Sequence, residues 1–199
     1  MLTFDEGTHT YRWMFEIVPS VTQIISGGGG GVDYSGIPRH ILERAAEIGT
    51  EVHKSVEVFH DALLQGDKAS LETHDASAAE YLLGYAQFLE DTGFRALHTE
   101  KKLYSHKGYA GTVDLIGEIY DRRCIADIKT TSKLHTDTTE LQLAAYKYLA
   151  EENELGPIDD KYIIWLKKSG SNRYELVPMN DELAIHRFLS MVEEYHGND

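Results

Sequence analysis

The sequence predicts an α+β fold in which a central β-sheet is covered by helices. Two observations favour this class. Apolar residues recur at helical spacing in two segments before residue 93, and β-rich runs follow one another from residue 94 to residue 131. A third observation indicates a single domain, because 199 residues with 42% hydrophobic content can form one compact domain with its own core.

The N-terminal elements are predicted to be short. Residues 8–13 are typical of a strand or hairpin, and residues 19–25 are typical of a short helix with Pro19 near its start. The glycine run 27–31 could cradle a phosphate, but the Lys-Ser/Thr pair of such loops is missing. We therefore expect a flexible linker.

Two longer helices are predicted next. The first runs from residue 38 to about residue 64, with Gly49 as a point of interruption or kink. The second runs from about residue 77 to residue 90 and stops near Gly93. We expect these two helices to pack together.

The remaining elements form the predicted sheet and its C-terminal helices. Three β-rich runs joined by turns predict a meander, and a later pair of strands around Gly170 predicts a hairpin. The predicted strands are 94–104, 109–119, 124–130, 162–166 and 173–177, and the predicted helices are 138–152 and 181–195. The chain therefore divides into an N-terminal segment, 1–37, and a main domain, 38–199, within a single compact unit.

Composition excludes several classes of site. The single cysteine, Cys124, rules out an internal disulfide, a multi-thiolate zinc site and an iron–sulfur cluster. The N-terminus lacks the pattern of a signal peptide and no apolar run is long enough to span a bilayer, so we expect a soluble, cytoplasmic protein. The net charge of −14 does not favour non-specific attraction to a polyanion, and any nucleic acid must be held by local features.

The chemistry is predicted at two adjacent strands. Asp114 lies among apolar residues of one strand, and Asp127 and Lys129 lie on the next. Residues two apart on a strand share a face, so Asp127 and Lys129 project together. The turn at residues 121–123 brings Asp114 close to Asp127, because antiparallel neighbours lie about 5 Å apart.

Two neighbouring carboxylates repel each other unless a cation lies between them. Hard oxygen ligands suit Mg²⁺ or Mn²⁺, which can orient a water and neutralise charge on a phosphodiester oxygen. Lys129 could help to deprotonate that water or stabilise the pentavalent transition state. The pattern thus indicates metal-dependent phosphodiester hydrolysis.

These motifs have a family counterpart. The chain carries, in order, Gly111-x-x-Asp114, a turn, Asp127-x-Lys129-Thr130, and Gln142-x-x-x-Tyr146. This order closely resembles the PD-(D/E)XK nucleases, in the branch that contains the RecB nuclease domain and phage recombination exonucleases. That branch carries a histidine four residues after a glycine on an upstream helix, as do Gly49 and His53 here. The match covers roughly residues 45–166. Val113 stands where the family name has proline, a departure that is common in this branch.

The resemblance implies a three-layer α/β/α, restriction-endonuclease-like core with a mixed central sheet in αβββαβ order. It implies one or two Mg²⁺ or Mn²⁺ ions and single- or double-stranded DNA as the ligand. It leaves a recombinase or a single-strand-binding protein open as a partner. The implied metal ligands are His53, Asp114, Asp127 and the main-chain carbonyl of Ile128, with Lys129 catalytic, Glu100 near the metals, and Gln142 and Tyr146 facing the active centre.

Structural interpretations stand beside these functional ones. An Asp-x-Lys pair alone is a common surface ion pair, and Glu100 could simply pair with the neighbouring lysines 101 and 102. His53 lies at the edge of an apolar helical stripe, where histidines are commonly structural. The combination leads us to a DNA exonuclease of phage or bacterial recombination, repair or replication. A catalytically inactive nucleic-acid-binding or scaffold module and a structure- or site-specific endonuclease remain as alternatives.

Overall fold

The computed structural model describes residues 1–197 of the protein. Its strands are β1 (Leu2–Asp5), β2 (Thr10–Trp13), β3 (Glu16–Val18), β4 (Arg95–Ser105), β5 (Tyr109–Ile119), β6 (Arg122–Lys129), β7 (Asp160–Leu166) and β8 (Tyr174–Pro178). Its α-helices are α1 (Val21–Ile25), α2 (Arg39–Leu64), α3 (Ala76–Thr92), α4 (Thr136–Glu152) and α5 (Ala184–Gly197).

The central sheet has five strands in the order β4-β5-β6-β7-β8. Neighbouring strands are antiparallel except β6 and β7, which are parallel and are joined by the crossover helix α4. A parallel pair requires such a crossover, because a short turn cannot return the chain to the same end of the sheet. The predicted α+β class and mixed central sheet are therefore confirmed.

Helices cover both faces of this sheet. Ile125 of β6 belongs to a buried cluster with residues of α1, α4 and α5, whereas Cys124, Ala126 and Ile128 of β6 are buried with residues of α2 and α3. This alternation follows from the two-residue period of a strand, since successive side chains point to opposite faces. The result is the expected three-layer arrangement. No helix within residues 1–197 has the length and hydrophobicity of a membrane-spanning segment.

Helix α2 runs without a break through Gly49, so the expected interruption is absent. Val52 and Val56 on its inner face share a buried cluster with Leu82 and Tyr85 of α3, which confirms that the two helices pack together. Tertiary packing along this face stabilises the helix despite the low helical propensity of one glycine.

The glycine run is helical, which corrects the expectation of a flexible linker. Residues Ser26–Gly30 form a π-helical turn that continues α1. A Cβ atom on Gly28 would lie 3.0 Å from Cγ of Met191 in α5, and Gly29 has a φ of 81°. Glycine suits this turn because the turn packs closely against α5 and includes a left-handed residue, Gly29.

The N-terminal strands form a separate three-stranded antiparallel sheet in the order β1-β2-β3, of which β1 and β3 were not predicted. Trp13 stacks on Tyr104 of β4, with ring centroids 4.2 Å apart. The Tyr11 hydroxyl lies 2.6 Å from the Thr112 hydroxyl of β5, and Ala110 N–H donates to the Pro19 carbonyl at 3.0 Å. These contacts fix the small sheet to the β4–β5 end of the central sheet.

Candidate metal centre

Three potential metal ligands converge from three elements. His53 lies on α2, Glu100 on β4 and Asp114 on β5, and one ligand atom of each lies within 4.8 Å of the others. His53 Nδ1 is 3.3 Å from Glu100 Oε1 and 3.5 Å from Asp114 Oδ2. The other ring nitrogen, Nε2, is 3.1 Å from the main-chain carbonyl oxygen of Ile128. The structure thus brings together four of the groups that the sequence singled out.

The backbone explains why the two carboxylates meet. The β4–β5 ladder has regular pairs on both sides of Glu100 and Asp114 but none between them, and Glu100 has a φ of 42°. Residues directly opposite each other on antiparallel strands share a face, so both carboxylates project towards α2. A non-glycine residue in the left-handed region costs of order 1–3 kcal/mol and is concentrated at functional sites.

Strands β5 and β6 separate at the same level. Their ladder ends at the pair Leu115 and Ala126, one step before Asp114 would face Asp127. In the gap, the Ile128 N–H donates to Asp114 Oδ2 at 2.9 Å. The Asp114 side chain therefore satisfies a backbone donor that the ladder leaves without a partner, and its carboxylate is held in one orientation.

Asp127 and Lys129 form a second group beside the first. Asp127 is 2% exposed, and its Oδ2 forms an ion pair with Lys129 Nζ at 2.7 Å. The angles of this contact are not those of a hydrogen bond, and within residues 1–197 Asp127 Oδ2 accepts no hydrogen bond. Lys129 Nζ donates to Gln142 Oε1 at 3.4 Å, and Gln142 Nε2 donates to the Tyr146 hydroxyl at 3.2 Å. The four-residue spacing of Gln142 and Tyr146 places both on one face of α4.

The electrostatics of the two groups are strongly coupled. Burial raises the pKa of Asp114 to about 7; Asp127 and Glu100 also raise it, against the opposing effect of His53. Burial lowers the pKa of His53, but the carboxylates of Asp114 and Glu100 outweigh this effect and raise it to about 9. For Lys129, burial again lowers the pKa, and Asp127 and Asp114 outweigh it, so the ammonium form is favoured.

The donor set fits a divalent cation. Two carboxylates and one imidazole, with one ligand atom of each within 4.8 Å of the others, suit Mg²⁺ or Mn²⁺, and the imidazole nitrogen favours the softer Mn²⁺. A cation there would offset the repulsion among the carboxylates that raises the pKa of Asp114. The clustered group contains Glu100 and does not include Asp127, whereas the sequence indicated Asp127 as a ligand and Glu100 only as a neighbour.

A cavity of about 750 Å³ opens at this centre. His53, Glu100 and Asp114 line it, and Tyr146 lines it from α4. Further lining residues come from outside the sequence-predicted site, namely Phe4, Glu6, His9 and Tyr11 of the N-terminal sheet region, and Lys54, Glu57, Lys102 and Thr112. Sequence reasoning did not place the N-terminal residues at the site, because their proximity depends on how the small sheet docks, for which the chain has no periodic signal.

A second cavity, of about 710 Å³, lies between α4, β7 and α5. Its lysines are already engaged. Lys147 Nζ donates to the Ile158 carbonyl at 2.6 Å, and Lys161 Nζ lies 3.5 Å from Glu140. This cavity therefore offers less unpaired positive charge to a ligand than its size suggests.

Comparisons with known proteins agree with the fold. A family model described as the PD-(D/E)XK nuclease superfamily matches residues 34–194. A solved structure of a candidate exonuclease from Eubacterium rectale shares 14% identity at a TM-score of 0.53, covering 88% of this chain and 71% of that chain. At this identity the likeness shows the fold alone.

Two further solved structures are more distant. LHK-Exo in complex with dAMP shares 11% identity at a TM-score of 0.45, covering 91% of this chain and 87% of that chain. A phage-related exonuclease from Haemophilus somnus shares 14% identity at a TM-score of 0.33, covering 73% of this chain and 81% of that chain. No curated protein matches the sequence.

Proposed function

This chain belongs to the PD-(D/E)XK nuclease superfamily, and from that premise we propose that it is a metal-dependent DNA exonuclease. The supporting observation is the convergence of His53, Glu100 and Asp114 within 4.8 Å, beside a buried Asp127 that contacts Lys129. Clustered, partly buried charges destabilise a fold and are concentrated at working functional sites, so an inactive protein would not be expected to retain them. The catalytically inactive module is therefore the weaker alternative.

The proposal assigns each group a role. His53, Asp114 and the Ile128 carbonyl would hold the cation, with Glu100 or Asp127 completing its ligands. A divalent ion held there would supply positive charge that polarises a phosphate oxygen and favours ionisation of water. Lys129 stabilises negative charge on the phosphate in the transition state. The ammonium form of Lys129, which its carboxylate neighbours favour, supports this role over that of a general base.

Gln142 and Tyr146 position Lys129 in this proposal. The contacts from Lys129 to Gln142 and from Gln142 to the Tyr146 hydroxyl hold the ammonium at the α4 side of the centre. Burial raises the pKa of Tyr146 well above its usual range, so its hydroxyl remains a protonated hydrogen-bonding group. A positioned ammonium lowers the activation free energy more than a mobile one, because it does not have to be ordered in the transition state.

DNA as the substrate and end-dependent cleavage are the finer parts of the proposal. They are supported by the motif resemblance to the branch with phage exonucleases, and by the exonuclease description of the Eubacterium rectale protein. We assign the activity to recombination, repair or replication of phage or bacterial DNA on the same resemblance. An endonuclease would share these motifs, so the two activities must be separated by experiment.

The test is hydrolysis of end-labelled linear DNA, single- and double-stranded, in Mg²⁺ or Mn²⁺. We expect digestion by the wild type, and a loss of about 10²-fold or more for Asp114→Asn and Lys129→Met. Asp121→Asn, a carboxylate change in the exposed β5–β6 turn, is the matched control and should retain activity. Failure of the wild type to digest any of these DNAs with either metal would contradict the proposal.

Covalently closed circular DNA separates the two modes of cleavage. An exonuclease should leave single-stranded circles intact while it degrades the same sequence in linear form. Nicking or linearisation of the circles by the wild type, but not by Asp114→Asn, would replace exonuclease with endonuclease and leave the hydrolytic site unchanged.

A further inference from the structure

The N-terminal sheet forms one wall of the proposed active-site cavity. Phe4 of β1 and Tyr11 of β2 line the same cavity as His53, Glu100 and Asp114. The family model begins at residue 34, so this wall lies outside the matched nuclease region. The wall is also firmly attached, because the Trp13–Tyr104 stack and the Tyr11–Thr112 contact join it to β4 and β5.

An aromatic ring stands at the surface of this wall. Phe4 is partly exposed, and its ring centroid lies 4.5 Å from that of the buried Tyr11. The ammonium of Lys102, on β4, lies 5.6 Å from the Phe4 centroid. Tyr11 fixes the position of the Phe4 ring, whereas the exposed Lys102 side chain can move away from it.

Lys102 differs from the other charged residues that line the cavity. The cavity is lined by the carboxylates of Glu6, Glu57, Glu100 and Asp114, and by two lysines. One of these, Lys54, lies 2.7 Å from Glu57 and is neutralised by it. Within residues 1–197, Lys102 makes no ion pair. In a chain of net charge −14, it is the lining group most available to a phosphate.

We propose that Phe4 and Lys102 form a subsite for an unpaired nucleotide adjacent to the phosphate being hydrolysed. The base stacks on Phe4, and Lys102 moves from the ring to a backbone phosphate. Stacking on an aromatic ring requires an exposed base face, which a nucleotide has in a single strand or a frayed end but not within a duplex. The substrate class is therefore single-stranded or end-unpaired nucleic acid. This inference rests on the proposed nuclease function.

The test measures binding separately from hydrolysis. Fluorescence anisotropy with a labelled single-stranded DNA of about ten nucleotides, in EDTA, reports affinity without cleavage. We expect Phe4→Ala to weaken binding about tenfold, in line with the loss of one stacked base. Lys102→Ala should weaken binding and lower the slope of log affinity against log salt by about one.

The chain offers a matched control for each change. Phe15 is 94% exposed at the turn between β2 and β3 and does not line the cavity, so Phe15→Ala should bind as the wild type does. Lys101 precedes Lys102 on β4, points to the opposite face and does not line the cavity. Lys101→Ala should change affinity less than Lys102→Ala. Equal effects within either pair would overturn the inference.

An abasic nucleotide, moved one position at a time along the oligonucleotide, tests the stacking directly. At one position the wild type should lose about tenfold in affinity, and Phe4→Ala should lose nothing further at that position. Phe4→Trp should retain the wild-type response, which separates stacking from a folding defect of the sheet. If Phe4→Ala and the wild type respond alike at every position, the subsite does not exist.

The two proposals can fail independently. If the wild type hydrolyses linear DNA and Phe4→Ala has the same KM as Phe15→Ala, the subsite is wrong and the nuclease function stands. If the wild type hydrolyses nothing but binds single strands through Phe4, the nuclease function is wrong and the binding surface stands.

Discussion

Two of the histidines on helix α2, His53 and His60, lie in opposite environments. His53 and His60 lie about two helical turns apart and therefore face nearly the same side of the helix. The carboxylates of Asp114 and Glu100 overcome the effect of burial on His53 and raise its pKa to about 9. Burial lowers the pKa of His60 to about 4. One helix face therefore holds a histidine that favours its charged form and one that favours its neutral form.

The difference lies in the neighbours of each histidine. At His53, strands β5 and β6 have separated, and the carboxylates of β4 and β5 project towards α2. At His60, the neighbours are the ring of Phe94 and the hydroxyl of Tyr85, which lies 2.7 Å from Nε2. Interrupted strand pairing at Glu100 and Asp114 accompanies the candidate site, whereas aromatic packing surrounds His60 in the core. Residue type alone does not distinguish the two.

The largest expected effect is on catalysis at His53. We expect His53→Ala to lower kcat/KM for linear DNA by about 10²-fold or more, because an electrostatic group of the catalytic centre is lost. His60→Gln should change kcat/KM by less than about threefold, since it lies in the core and does not touch the centre. Both variants are assayed at a temperature where circular dichroism reports a folded protein. A comparable loss in His60→Gln would contradict the separation of the two regions.

The second expected effect is on the free energy of unfolding, and here His60 should matter where His53 mattered for catalysis. Because the folded pKa of His60, about 4, lies below its ordinary value of 6.5, the unfolded state binds the proton more readily. Its stabilisation is complete above pH 6.5 and is lost as the pH falls towards 4, by about 3 kcal/mol at most. Urea unfolding from pH 7 to pH 4 should show this loss in the wild type and a smaller one in His60→Gln. Identical pH profiles would show that His60 is not buried in its neutral form.

The third effect is on metal-linked stability. A ligand at a hundred times its dissociation constant stabilises the folded state by about 2.7 kcal/mol. Mn²⁺ should therefore raise the Tm of the wild type, and His53→Ala and Glu100→Gln should reduce the shift. His60→Gln should keep the shift, although its Tm without metal should be lower than that of the wild type. An undiminished shift in both His53→Ala and Glu100→Gln would place the cation elsewhere.

The sequence predicted much of this arrangement, for identifiable reasons. Apolar periodicity located helices α2 to α5 to within a few residues, because burial on one face imposes that period. Runs of β-forming residues bounded by turns located the five central strands equally closely. The two-residue rule correctly placed Asp127 and Lys129 side by side, and they lie 2.7 Å apart. The four-residue rule did the same for Gln142 and Tyr146, whose side chains are hydrogen-bonded.

Features that depend on tertiary packing could not be predicted. The helical turn at the glycine run depends on the approach of Met191 from α5, far along the chain. The exposure of Glu100 to His53 depends on a left-handed residue within a strand, which no propensity favours. The contribution of Phe4 and Lys102 depends on the docking of the N-terminal sheet. In each case the decisive contact joins segments that local pattern does not connect.

The smallest expected effect tests the α4 side of the centre. Gln142 bridges Lys129 and Tyr146, with contacts of 3.4 and 3.2 Å. Gln142→Ala should lower kcat about tenfold with little change in KM, because it releases the ammonium without removing it. Gln142→Glu should recover part of the loss, since a carboxylate can still accept from Lys129. Tyr146→Phe should cost only a few-fold, because Gln142 keeps its contact with Lys129. A rise in KM at constant kcat would mean that Gln142 binds substrate and does not position Lys129.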